Sequence, residues 1–129
     1  MLAIDTNVVV RYLVGDGGEQ FRRAVQILES NEISISLTVV LETEWVLRDA
    51  YEYDRDDVLA ALRNVLGLPT VTIREDRVAR DAIDLAASGL DFADAMHLAQ
   101  SGGCSAFVTF DKRLVRKARG LIDFPVKPA

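Results

Sequence analysis

The sequence has little cysteine or proline, and it contains no long apolar run. Cys104 is the single cysteine among 129 residues, which excludes an internal disulfide bond and a zinc site built from cysteines. A lone cysteine fits a reducing cytoplasm, and we expect Cys104 to be a small buried apolar side chain. No apolar stretch approaches the roughly 18 residues of a membrane span, and the N-terminus lacks the basic and apolar regions of a secretion signal. We therefore expect a cytoplasmic protein.

An excess of positive charge is also lacking, which argues at first against a nucleic-acid partner. The net charge is −5, whereas proteins that bind phosphate backbones are usually basic. Acidic metal ligands would account for part of this charge, because a bound cation cancels it. The basic residues are also unevenly placed, and five of them crowd one short segment: Lys112, Arg113, Arg116, Lys117 and Arg119. The placement of charge is therefore more informative than its sum.

Short apolar segments alternate with longer amphipathic ones, which predicts a parallel α/β fold. At 129 residues the chain is most simply one domain, residues 1–129. The predicted strands are residues 1–4, which we expect to be buried, 33–35, 70–73, 106–108 and 124–127. The predicted helices are residues 6–13, 19–30, 37–51, 54–66, 75–88, 91–101 and 112–118.

Two aspartates follow predicted strands directly. Asp5 comes after the first strand and Asp111 after a late one. In open parallel sheets, ligand sites form beyond the carboxyl ends of the strands. An aspartate at the start of a helix is also a good N-cap, so each residue has a structural and a functional interpretation, and both stay open.

Glu42 lies in a helix whose circumference is mostly apolar, so we expect it to be buried. Glu44 has Arg48 four residues later, which favours an ion pair within the helix. Glu42 has no such cation. A buried carboxylate without a partner costs several kcal/mol or becomes protonated, so a metal ion or an arginine from another helix must compensate.

Asp91 and Asp94 stand at the start of another predicted helix with the spacing of a capping box. Asp91 as N-cap leaves Asp94 in the first turn, with its side chain available to a site. His97 follows three residues later, but Mg²⁺ prefers oxygen ligands, so we leave His97 out of the ligand set.

If the fold brings Asp5, Glu42, Asp94 and Asp111 together, their repulsion requires a cation. An all-oxygen cluster suits Mg²⁺ or Mn²⁺ and indicates phosphate chemistry. Nearby polar groups are either supporting groups for such a site or ordinary turn and helix-start residues: Thr6, Asn7 and Thr109. Four basic residues share one face of the last helix, which is either a solvated surface or a contact for an RNA backbone: Lys112, Arg113, Arg116 and Lys117.

Four segments in this order resemble the signature of the PIN-domain family, and most closely its VapC-like toxins. They are Asp5-Thr6-Asn7, the Glu42 helix ending in Trp45-Val46-Leu47, Asp91-Phe92-Ala93-Asp94-Ala95, and Val108-Thr109-Phe110-Asp111. The resemblance covers essentially the whole chain. It implies a three-layer α/β/α sandwich around a short central parallel sheet.

The resemblance also implies a Mg²⁺- or Mn²⁺-dependent endoribonuclease, the toxin of a toxin–antitoxin pair. Its principal acids fall on Asp5, Glu42, Asp94 and Asp111, with Asp91 as an additional acid. A homodimer and a small antitoxin protein are the implied partners, besides RNA. A catalytically inert RNA- or protein-binding module on the same scaffold is the alternative. A phosphoacceptor domain is disfavoured, because Asp5 is followed by Thr6 and Asn7 rather than by a second acid.

Overall fold

The computed structural model describes all 129 residues, which divide into two compact units. Unit 1 comprises residues 1–76 and unit 2 residues 77–129. Unit 1 contains β1 (Leu2–Ala3), α1 (Thr6–Val14), α2 (Glu19–Ser30), β2 (Ile33–Ile35), α3 (Leu37–Asp49), α4 (Arg55–Leu66) and β3 (Val71–Ile73). Helix α5 (Asp76–Ala87) begins at the boundary, and α6 (Phe92–Ala99), β4 (Phe107–Thr109), α7 (Lys112–Lys117) and β5 (Val126–Pro128) follow in unit 2.

All strand pairs are parallel, as the alternation of strands and helices predicted. In unit 1 the strand order is β1-β2-β3, with Leu2 opposite Ile33 and Ile33 opposite Val71. In unit 2, β4 pairs with β5, and Phe107 lies opposite Val126. The predicted α/β class is confirmed, with the strands in a three-stranded and a two-stranded sheet.

Five of the seven helices begin at side chains that satisfy free backbone N–H groups: α1, α3, α4, α6 and α7. Ser36 Oγ accepts a hydrogen bond from the N–H of Val39 at the start of α3, and Asp54 Oδ1 accepts one from the N–H of Asp57 at the start of α4. Helix α1 ends at Gly15, whose φ of 65° lies in the left-handed region that glycine adopts without strain. Local sequence therefore sets several helix boundaries.

The first strand is not buried, contrary to the expectation from its apolar composition. Leu2 is 45% exposed and Met1 74%. Strand β1 lies at one edge of the three-stranded sheet and has a neighbour on one side only, whereas Ile33 and Ile35 on the central strand β2 are fully buried. Cys104 is likewise exposed, so the prediction that it is buried is wrong.

Each unit has an apolar core. In unit 1 the fully buried side chains include Leu28, Ile33, Leu47, Val58 and Leu62, and in unit 2 they include Ile83, Leu90 and Leu98. Burying each such side chain contributes about 1.5–3 kcal/mol relative to leaving it in water. None of the helices is both long and apolar enough to cross a membrane.

Candidate active site

In unit 1, Asp5 serves as the N-cap of α1. Its Oδ1 accepts a hydrogen bond of 3.2 Å from the backbone N–H of Val8, so the capping interpretation is confirmed. The carboxylate is exposed, and Oδ2 accepts no hydrogen bond. One oxygen of Asp5 therefore stabilises the helix while the other is free to bind a ligand, and the two roles are compatible.

Glu42 is exposed, so the prediction that it is buried is wrong. The buried sector of α3 carries Val40, Glu44 and Leu47, and Trp45, three residues after Glu42, is 55% exposed. A helix that is apolar almost all round does not reveal which sector faces solvent. Burial therefore gives no reason for a metal ion at Glu42.

Glu42 nevertheless has a fixed partner close to Asp5. The hydroxyl group of Thr6 donates a hydrogen bond of 3.0 Å to Glu42 Oε1, joining residues 36 positions apart. The other carboxylate oxygen accepts no hydrogen bond. The structure thus links Glu42 to the residue that follows Asp5. Asn7, the third polar residue of this segment, is exposed and its side chain makes no hydrogen bond.

Glu44, rather than Glu42, is the buried glutamate of α3. It is 7% exposed and accepts a hydrogen bond of 2.8 Å from Arg48 Nε, with a second, longer one from the guanidinium group. The ion pair predicted from the four-residue spacing is confirmed. Because the charge of Glu44 is satisfied within its own helix, it is not a candidate for the site.

In unit 2, Asp91 caps α6 and Asp94 lies in its first turn. Asp91 Oδ2 accepts a hydrogen bond of 3.3 Å from the backbone N–H of Asp94, which confirms Asp91 as the N-cap. The reciprocal bond of a capping box is absent, and the half-buried carboxylate of Asp94 accepts no hydrogen bond. Asp94 is therefore the one predicted acid that is partly withdrawn from water without a compensating partner.

The pKa of Asp94 is raised above its ordinary value of 3.8 by burial, and further by the negative charges of Asp91 and Asp111. His97 acts in the opposite direction, as does the helix N-terminus, which favours negative charge. The effects of burial and of the two carboxylates are larger than these opposing effects, so the net change in the pKa of Asp94 is upward. Within unit 2 the charge of Asp94 thus interacts with those of Asp91 and Asp111, although Asp111 is 17 residues further along the chain than Asp94.

Asp111 lies beyond the carboxyl end of β4 and caps α7. Its Oδ1 accepts hydrogen bonds of 2.9 Å from the N–H of Arg113 and 3.1 Å from that of Leu114. Thr109 Oγ1 accepts a bond of 3.0 Å from the N–H of Asp111, which fixes the turn between strand and helix. The capping interpretation of Asp111 is confirmed, and its Oδ2 accepts no hydrogen bond.

The predicted basic face of α7 is present. Leu114, Val115 and Ala118 are buried, and the exposed residues are Lys112, Arg113, Arg116 and Lys117. Lys117 Nζ donates a hydrogen bond of 3.2 Å to the carbonyl of Gly89, two residues before Asp91. Lys117 is therefore partly committed to the structure of unit 2, while the other three cations form no ion pair and face solvent.

The predicted acidic side chains of each unit offer oxygen atoms, the donors that suit a hard divalent cation. In unit 2 such a cation would relieve the repulsion that Asp91 and Asp111 exert on Asp94. No set of three or more His, Cys, Asp or Glu side chains is already arranged to hold a metal ion. The side chains therefore have the right donor atoms for a divalent ion, but they are not already arranged in a coordination geometry.

The PIN domain family matches residues 2–120 of the chain. The chain belongs to the PIN domain family. PIN domains are generally metal-dependent nucleases, which accords with carboxylates beyond strand ends. The match extends through both units of this PIN domain, so each unit contributes residues to the family pattern. No curated protein matches the chain.

One residue of this PIN domain stands out although the sequence reasoning gave it no role. Phe110 is 89% exposed, and Val108, two residues earlier, is 60% exposed. Both belong to the apolar run that precedes Asp111. A signal was present in the sequence, because Phe110 lies between the end of a strand and a capping aspartate, where a chain leaves the sheet for the surface.

Proposed function

We propose that this PIN domain, residues 1–129, is a metal-dependent endoribonuclease that hydrolyses RNA phosphodiester bonds. The observation that carries the proposal is that the chain belongs to this family, and the half-buried carboxylate of Asp94, which accepts no hydrogen bond and is repelled by Asp91 and Asp111, supports it. Burial and repulsion from Asp91 and Asp111 disfavour the charged form of Asp94. A bound cation would compensate for both effects.

The proposed catalytic carboxylates are Asp5, Glu42, Asp94 and Asp111. Asp5, Asp94 and Asp111 are the proposed ligands of Mg²⁺ or Mn²⁺, and Glu42 and Asp91 are additional ones. Such an ion lowers the pKa of a water molecule and stabilises charge on a leaving oxygen. For Asp5 and Asp111 the capping oxygen is occupied, so Oδ2 is the atom available to the ion.

Glu42 is also suited to hold the attacking water. Its Oε1 is occupied by the hydroxyl of Thr6, which fixes the carboxylate and leaves Oε2 to accept a hydrogen bond from water. A carboxylate at that position orients the water and takes up its proton. Loss of Thr6 would then lower the rate without removing a charge.

The basic face of α7 would hold the RNA backbone next to Asp111. Lys112 and Arg113 are exposed and follow Asp111 directly, and Arg116 and Lys117 extend the same face. Contacts of this kind position a substrate without reading its sequence. They make binding weaker as the salt concentration rises.

A cleavage assay on single-stranded RNA tests the proposal. We expect cleavage in Mg²⁺ or Mn²⁺, none in EDTA, and a loss of at least about 100-fold for Asp5→Asn and for Asp94→Asn. Glu29→Gln and Asp123→Asn are matched controls, because both remove an exposed negative charge elsewhere in the same units. Undiminished cleavage by both site variants would refute the assignment of these carboxylates.

We further propose that the protein is a VapC-like toxin that acts in the cytoplasm as a homodimer and is inhibited by a small antitoxin protein. The support is the order of the four sequence segments. Induced expression is expected to arrest growth, and expression of Asp5→Asn is not. Co-purification of a small protein encoded beside the gene would identify the antitoxin, and light scattering of the purified chain would report the dimer. Unimpaired growth on expression of active enzyme would contradict the toxin role.

An inert RNA- or protein-binding module is the second candidate. One observation favours it: Asp5 and Asp111 cap helices, so their presence has a structural reason apart from catalysis. A wild-type protein that binds RNA and cleaves none in either metal would support this candidate.

A further inference from the structure

Phe110 is the exposed phenylalanine of the chain. It is 89% exposed, whereas the other four are buried or half-buried: Phe21, Phe92, Phe107 and Phe124. Single exposed apolar side chains are common and have no necessary role. The neighbours of Phe110 must therefore decide whether its position matters.

Those neighbours are a carboxylate and two cations. Asp111 follows Phe110, and Lys112 and Arg113 are the first residues of α7, both exposed. Consecutive Cα atoms lie about 3.8 Å apart, so an aromatic ring and two positive charges share one short segment of the surface of unit 2. Asp111 Oδ1 accepts hydrogen bonds from two backbone N–H groups of α7. These bonds fix the backbone between Phe110 and the two cations.

A nucleotide complements this combination. Its base presents a flat aromatic face that stacks on a phenylalanine ring, and its phosphate pairs with lysine or arginine. An apolar protein surface would cover Phe110 and Val108 but would gain nothing from the two cations and would desolvate them at a cost. The charges beside the ring therefore favour a nucleic acid over an apolar partner.

We propose that Phe110 is a stacking platform for an unpaired base of single-stranded RNA, with Lys112 and Arg113 holding the adjacent phosphates. This inference rests on the proposed function and names its substrate class. Bases within a duplex are already paired and stacked, whereas those of loops and single strands are available to aromatic side chains. Every base has such a face, so the platform selects single-stranded RNA with little regard to sequence.

Binding of a labelled single-stranded RNA, followed by fluorescence anisotropy in EDTA to prevent cleavage, tests the inference. Phe110→Ala is expected to weaken binding by between about 5-fold and about 150-fold, the range for loss of one stacked base. Phe110→Trp should restore it, while Phe110→Leu, which is apolar but lacks a ring, should not. Val108→Ala is the matched control on the neighbouring exposed apolar residue and should bind like wild type.

Two altered ligands separate stacking from other contacts. An abasic strand keeps the phosphates, so wild type and Phe110→Ala should bind it equally. A duplex RNA should likewise show no difference between them. Lys112→Ala should weaken binding of all three ligands, and for the single strand it should reduce the slope of log K against log salt by about 0.7. Phe110→Ala should leave that slope unchanged.

A spectroscopic measurement reports stacking directly. Trp45 is the single tryptophan, so a variant with Trp45→Phe and Phe110→Trp carries its indole only at the proposed platform. Single-stranded RNA should quench its fluorescence, and the abasic strand should not.

The outcomes are distinct. Equal binding of single-stranded RNA by wild type and Phe110→Ala overturns the inference, as does the same loss for the abasic strand. A wild type that binds no single-stranded RNA in EDTA or in Mg²⁺ overturns it too. A change in oligomeric state of Phe110→Ala and Val108→Ala with unaltered RNA binding overturns it in favour of a protein interface. The cleavage assay judges the proposed function separately, because RNA cleavage with no role for Phe110 leaves the function standing.

Discussion

Asp111 offers a test that separates the structural from the catalytic role of one side chain, because the two roles predict different effects of the same substitutions. Its Oδ1 accepts hydrogen bonds from the N–H groups of Arg113 and Leu114, at 2.9 and 3.1 Å. Helix α7 has only six residues, so this cap satisfies two of its first free donors. Replacing a capping aspartate with alanine costs about 1 kcal/mol. In a chain of this size that lowers the melting temperature by about 4 °C.

Asparagine and serine cap helices about as well as aspartate, but neither carries a charge. We therefore expect Asp111→Asn and Asp111→Ser to melt within about 1 °C of wild type, and Asp111→Ala about 4 °C lower. All three are expected to cleave RNA at least about 100-fold more slowly, because each lacks the carboxylate that binds the ion. Circular dichroism on heating and a cleavage assay in Mg²⁺ give the two readouts.

Asp54 provides the matched control. It caps α4 through a hydrogen bond of 2.9 Å from the N–H of Asp57 and has no proposed part in catalysis. Asp54→Ala should lose a similar amount of stability and keep its activity at a temperature where it stays folded. Full activity of Asp111→Asn would refute the catalytic reasoning, and a melting temperature of Asp111→Asn as low as that of Asp111→Ala would refute the capping reasoning.

Three further substitutions test the energetics by thermal or urea denaturation. Thr43 is fully buried and its hydroxyl has no hydrogen-bond partner, so Thr43→Val should stabilise the protein by about 1 kcal/mol; a loss of stability would mean that the hydroxyl is satisfied. Glu52 has a φ of 57°, so Glu52→Gly should stabilise by about 1 kcal/mol while Glu52→Ala does not; equal effects would exclude backbone strain. Asp94→Asn should stabilise the metal-free protein at neutral pH, because the raised pKa of Asp94 means that its charged form is disfavoured in the folded state. That gain is fully present above the folded-state pKa and disappears as the pH falls below the ordinary value of 3.8; a gain that persists at lower pH would have another cause.

Helix starts and parallel strands were predictable because their causes are local. The sequence predicted a helix beginning at residue 54, made Asp91 an N-cap and offered capping as one interpretation of Asp111, and each of these aspartates accepts a hydrogen bond from its helix. Strand alternation with helices likewise predicted the parallel pairing. These features depend on a few neighbouring residues, which a single sequence displays in full.

Burial was less predictable because it depends on what packs against a residue from elsewhere in the chain. Glu42 and Glu44 lie two residues apart on an almost wholly apolar helix, and composition did not show that Glu44 faces the core and Glu42 solvent. The same reason explains Leu2 on an edge strand and Phe110 at a strand end. That the fold brings the four principal acids together was a hypothesis from topology and stays a prediction, while within unit 2 the charge of Asp111 acts on that of Asp94.

The central claim is that these carboxylates bind a divalent cation, and calorimetric titration of the purified protein with Mn²⁺ measures it most directly. We predict saturable binding by wild type, binding at least about 10-fold weaker for Asp94→Asn, and unchanged binding for Asp123→Asn. Equal binding by wild type and Asp94→Asn, or no binding by wild type, would contradict the account.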